Sequence, residues 1–303
     1  MIVRNRPNWF AMLFVLRGSI LPRIAVQLTV ITLFSVLITA LHGKVLDWKV
    51  SLNFVPFSLI GLTLAIFLSF RNNTSYDRFW EARKLWQQVQ DESRSLAREA
   101  LTLTSNPGAA PALIHQLCAF VHLLKHQLRH TSPNADLKKF LDADQMARLE
   151  KASFRPAMAL QMAGEWLGDR VRANEIHPPI VTAFAGSLSR LTAALGGCER
   201  IAHTPIPFTY AVVIHRSIYL YCFWLPFGLL DSIGLMTPVI VCFIAYTFFA
   251  LEALGAELED PFGEEANDLP LQALAHEIEA SLLDMIDEQP RTDKPRIRKS
   301  LLQ

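Results

Sequence analysis

Residues 50–70 read VSLNFVPFSLIGLTLAIFLSF, twenty-one positions without a charge, and break directly into RNNTSYDRFWEARKLW at 71–86. Twenty-one helical residues span about 31 Å, close to the roughly 30 Å hydrocarbon core of a bilayer. Arg71, Arg78, Arg83 and Lys84 follow at once, the basic flank expected where a helix re-enters the cytoplasm. Leu62, Ile66 and Phe70 stand four apart, so they share one side of a helix. Beside them runs a second stripe, Ser58, Gly61, Ala65 and Ser69, of the small residues that let helix backbones approach closely in lipid. The bulky stripe suits either lipid or the lining of a pore. The small stripe suits a ring of identical helices or packing within one subunit.

Three further apolar runs surround this one. The first extends from Ile24 to Leu41, too late in the chain and without the small-residue cleavage site of a signal peptide. The third, 208–230, is interrupted by His215 and Arg216, and the fourth is 232–251. Only Asp231 separates the last two, which predicts a tight helical hairpin turning at that residue. Across 303 residues, 51% are hydrophobic and 19% charged, and the mean hydropathy is +0.24. The charged share is below the roughly 25% of soluble domains, so the chain reads as a membrane protein with a polar half. A net charge of +1 offers no nucleic-acid surface, which needs a clustered basic excess. Cys118, Cys198, Cys222 and Cys242 lack metal-knuckle spacing and read as unpaired thiols.

Loop charge orients the runs. Arg4, Arg6, Arg17 and Arg23 precede the first helix with no acidic residue among them, whereas the external loops hold Lys44 and Lys49 against Asp47, and Asp231. The basic excess places both termini and the middle of the chain in the cytoplasm. The expected organisation is all-α. A cytosolic segment (1–23) leads to two transmembrane helices (24–70). A helical cytosolic region (71–204) and two more transmembrane helices (205–255) follow, and then a cytosolic acidic loop, amphipathic helix and tail (256–303).

Within 71–204 the periodicity is helical, with breaks at Ser105–Gly108, Thr131–Asn134 and His177–Pro179. The helix that starts in the membrane is expected to continue through Trp86 towards Thr104, with others over 156–172 and 180–202. No phosphate loop, HExxH or nucleophile elbow is present, so the equipment of the common enzymes is missing. Between Leu113 and His130, an apolar face (Leu113, Leu117, Phe120, Leu124, Leu128) opposes His115, Cys118, His122 and His126. Imidazoles one turn apart can chelate zinc. Lys125 and Arg129 beside them, and no carboxylate nearby in sequence, favour a solvated or subunit-contacting face instead. The run Glu257, Glu259, Asp260, Glu264, Glu265, Asn267 and Asp268 has the oxygen-rich composition of a calcium loop; equally, it is the acidic start of a helix. That helix, 271–288, carries Leu274, Ile278, Leu282 and Met285 on its expected buried face.

The stretches FLSFRNNTSYDRFWEARKLW (67–86), ERIAHTPIPF (199–208) and DPFGEEANDLPL (260–271) resemble, in family order, the bacterial branch of the bestrophins. That resemblance implies a homopentameric ion channel with a hydrophobic neck in the membrane and a cytosolic vestibule ending in a second constriction. It implies a neck at Leu62, Ile66 and Phe70, and the second constriction at Ile180, just after Pro178-Pro179. It carries the calcium positions of animal members onto Glu265 and Asp268, with Ala266 interrupting the acidic run. Animal members conduct anions and bacterial relatives are associated with monovalent cations, so sodium or potassium conduction is the expectation. Five apolar side chains around an axis can gate by dewetting. The alternatives are a chloride channel and a membrane-anchored scaffold for a soluble partner. The implied partners are the bilayer, further copies of the chain and the ions.

Overall fold

The computed structural model describes residues 8–12, 14–16, 18–45, 48–49, 52 and 54–294. Arg4, Arg6, Arg17, Asp47, the first residues of the opening stretch (Val50, Ser51, Asn53) and the tail beyond 294 lie outside them. The described chain is helical apart from a two-residue antiparallel pairing of β1 (Lys44–Val45) with β2 (Trp48–Lys49). A short α1 (Trp9–Met12) precedes α2 (Leu21–Ala40), whose first turn holds Pro22, where a missing N–H costs nothing. Next comes α3 (Phe54–Thr102), whose forty-nine residues extend about 74 Å at 1.5 Å each. The run from the opening stretch through Trp86 is thus one helix, as expected.

The chain forms two compact units, one of Arg4–Phe79 with Pro205–Asp260 and one of Trp80–Thr204 with Pro261 onward. In the first, α2 packs on α10 (Thr237–Glu259) and α9 (Phe208–Ile233). Its core interleaves Ile24 and Ile31 with Leu64 and Leu68, Ile218, Cys222 and Leu225, and Val241, Ala245 and Phe249. Tyr221 sits among Phe57 (ring centroids 6.3 Å apart) and Phe248 (5.4 Å). In lipid such packing, rather than transfer out of water, holds helices together.

The hairpin between α9 and α10 turns later than expected. Asp231 lies inside the last turn of α9, and the break falls at Gly234, followed by a single 3₁₀ turn over Gly234–Met236. Gly234 has φ +57° and ψ −126°, a conformation open to glycine and strained for other residues. A backbone requirement, not a charge, ends the helix.

The second unit is built around α4 (Ala110–Leu128), with α7 (Arg155–Arg172) and α11 (Leu271–Asp284) packed on it and α8 (Pro178–His203) on α7. Small α5 (Asn134–Leu137) and α6 (Ala143–Lys151) join them, the latter started by an Asp142/Gln145 capping box. The stretch Pro107–Leu128 is long and apolar enough to cross a membrane, yet 67% of it is buried inside the protein, against 17–28% for the other such stretches. It is a core helix. Among the described residues, the membrane candidates are therefore α2, the first part of α3, α9 and α10. α11 stops four residues short of expectation because Asp287 adopts φ +57° and Glu288 N–H closes back on the Leu283 carbonyl at 3.0 Å. Its buried face is Leu271, Ala275, Ile278 and Leu282, whereas Met285 is exposed.

Candidate pore-lining site

Within its own unit, α3 buries one ridge: Phe57, Leu64, Leu68, Arg71 and Ser75. Leu62, Ile66 and Phe70 stand on the opposite side, 61%, 48% and 62% exposed. An apolar stripe directed away from the subunit's core needs an environment outside the subunit. The flanks between ridge and stripe differ from each other. On one, Ser58, Ala65 and Ser69 are exposed. Gly61 instead serves the subunit's interior, since a Cβ there would lie 2.7 Å from Tyr221 Oη. The small-residue stripe is thus divided between an internal contact and an open face. On the other flank, Leu59, Ile60, Thr63 and Phe67 line an apolar groove of about 690 Å³ with Tyr210, Val213 and Ser217 of α9.

Immediately past Phe70, the helix is gripped. Arg71 Nη2 lies 3.5 Å from Glu259 Oε2, and Arg78 Nε donates to the Glu259 carbonyl at 3.2 Å. Glu259 Oε1 accepts from Ile206 N–H at 3.1 Å. One turn back along α10, Gly255 permits close approach, because a Cβ there would lie 2.3 Å from Asn72 Oδ1. Two of the motifs that carry the family resemblance, and the residue just before the third, meet at this one carboxylate. Its role had no local signature, since its partners lie 53 to 188 positions away. His215, which interrupts the third apolar run, reaches Glu252 of α10 at 2.6 Å and packs on Tyr219.

Ile180 lies in the first turn of α8, half-buried, with its N–H on the His177 carbonyl at 2.9 Å. The histidine face is not solvated. His122 is fully buried and Lys125 nearly so, because α5 and α11 cover that side of α4. Two carboxylates, Glu279 and Glu288, arrive from far along the chain, and a third, Asp136, from just past the end of α4. His115 reaches Glu288 (3.1 Å), His122 reaches Glu279 (2.8 Å) and His126 reaches Asp136 (3.0 Å). Asp136 is shared, its Oδ2 lying 3.4 Å from His122 Nδ1 as well, and Lys125 Nζ, 2.8 Å from the same oxygen, occupies the place of a cation. Among the described residues no three His, Cys, Asp or Glu side chains are grouped to hold a metal ion. Zinc at His115, His122 and His126 does not fit.

The loop after α10 has a similar occupant. Asp268 Oδ2 accepts from the Glu265 N–H at 2.7 Å, closing the turn on itself. Arg129 Nη2 donates to the carbonyls of Gly263 (3.4 Å) and Leu269 (3.3 Å), its positive charge facing Glu264 and Asp268. A guanidinium thus already stands at the Gly263 and Leu269 carbonyls, beside the loop that holds Glu265 and Asp268.

A family model described as "Bacterial/Fungal Bestrophin protein" matches residues 1–284. A "Voltage-dependent anion channel-forming protein" of Ralstonia nicotianae is 45% identical over 100% of both chains. The protein of that description from Escherichia coli K12 is 39% identical over 95% of each chain. A crystal structure of a bacterial bestrophin homologue from Klebsiella pneumoniae superposes with a TM-score of 0.85 at 39% identity, over 88% of this chain and 100% of that one.

Proposed function

The chain belongs to the bacterial and fungal bestrophin family, and we propose that it is a passive channel in which copies of α3 surround an axis, with Leu62, Ile66 and Phe70 as the neck. One observation carries this reading: the three residues are large, apolar and exposed on the side of α3 opposite its buried ridge. The dissimilar flanks support it. A small-residue face on one side and an apolar groove on the other are suited to a head-to-tail contact, which closes into a ring when the rotation permits. Five copies is the number the family resemblance supplies. Ile180 is the matching position for a second constriction, in a cytosolic helical region comprising the unit built around α4. The basic residues after Phe70 support an inner-membrane location with both termini inside. No enzymatic role is proposed.

The names of the relatives favour anions over the monovalent cations implied by the family resemblance, so anion conduction is the first reading. The neck holds no fixed charge, so selectivity must arise from its width, from hydration or from charge at its mouths. Purified protein in planar bilayers under asymmetric sodium chloride tests this. Reversal near the chloride equilibrium potential is the expected result, and reversal near that of sodium would restore the cation reading. Intact oligomers that pass no current would overturn the channel assignment itself.

A further inference from the structure

We infer that Glu259 is a positioning residue for the Phe70 end of the neck, an inference that rests on the pore reading of α3 given above. Its carboxylate faces the Arg71 guanidinium with one oxygen and accepts the Ile206 N–H with the other, while its carbonyl holds Arg78. The last residue of α10 thus ties together α3 and the turn that starts α9. The Arg71 side chain is 6% exposed and that of Glu259 19%, so the pair is shielded from water. Removing one partner of such a pair leaves an uncompensated buried charge, which makes the surrounding turn rearrange. That turn begins at the residue after Phe70. Asn72, packed against Gly255, fixes the same turn by shape. Together these contacts set the rotation of α3 where the neck stripe ends, and hence where the Phe70 ring points.

Glu259→Gln isolates the charge: an amide oxygen can still accept from Ile206 N–H, and the backbone carbonyl still serves Arg78. Single-channel recordings in a native-neck and a Phe70→Ala background test the role, with assembly checked by oligomer mass. Glu259→Gln is expected to change unitary current or open probability by at least about threefold in the native neck, the scale of coupling between residues in contact. The change should largely vanish with Phe70→Ala. Assembled Glu259→Gln channels with native currents would overturn the inference, as would an equal change in both backgrounds, because Glu259 would then act elsewhere than through Phe70. If Glu259→Gln does not assemble, Arg71→Gln removes the bond from the other side and is read the same way. A Phe70→Ala channel indistinguishable from the native one would instead reject the neck assignment, a separate failure.

Discussion

Glu279 has no exposed side-chain surface, yet its carboxylate accepts from His122 Nε2 at 2.8 Å, Arg291 N–H at 2.5 Å and Thr292 N–H at 2.8 Å, and from the Thr292 hydroxyl. Burial pushes its pKa up, but the hydrogen bonds from His122 and Thr292 outweigh burial and hold it at about 2. Asp136 is likewise held far below the carboxylate range by hydrogen bonds from His122 and His126. A depressed carboxylate contributes stability that is present above its ordinary value of 4.5 and lost as pH falls towards about 2. Glu279→Gln should therefore destabilise the unit built around α4 by about 3 kcal/mol at neutral pH. It should also flatten the loss of stability between those two values, read by thermal unfolding across a pH series. An unchanged pH profile would show that the carboxylate is not what anchors Thr292. The histidine spacing on α4 was legible in the sequence. Its partners were not, because the facing carboxylate lies 157 positions away and nothing local marks the pairing. The same distance hid the part played by Glu259.

Helices were the most readable level, because apolar length and helical periodicity are properties of contiguous residues. The span of α3, its continuation past Trp86 and the helices α7 and α8 were all visible in the chain before any packing was known. The hairpin was misplaced for a specific reason. Asp231 looks like the end of a membrane run, but a charge near a helix end can stay helical, whereas the glycine conformation at Gly234 cannot be continued. Gly234→Ala is expected to cost about 2 kcal/mol and to lower the melting temperature in detergent; native melting would contradict the strain. The burial of the histidine face of α4 was the other departure from expectation. An apolar face opposite a polar one reads as half-solvated, and only the packing of α5 and α11 on the polar side decides otherwise.

At the level of the whole molecule, the proposed head-to-tail ring rests on the two dissimilar flanks of α3. Ala65→Trp, placed on the exposed small-residue face, should shift the native mass towards monomer while leaving the helical content unchanged. A full-sized oligomer with tryptophan there would remove that face from the subunit contact. The sequence carried the neck stripe but could not say whether lipid or a pore faced it, since both tolerate the same side chains. Exposure opposite the buried ridge and the grip just past Phe70 now support the pore. Unitary current through Ile66→Ala, compared with Val30→Ala on the exposed side of α2, tests this most directly. A larger current in Ile66→Ala and a native one in Val30→Ala is the expected result. A native current in Ile66→Ala, from oligomers of native mass, would contradict the placement of the ion path along α3.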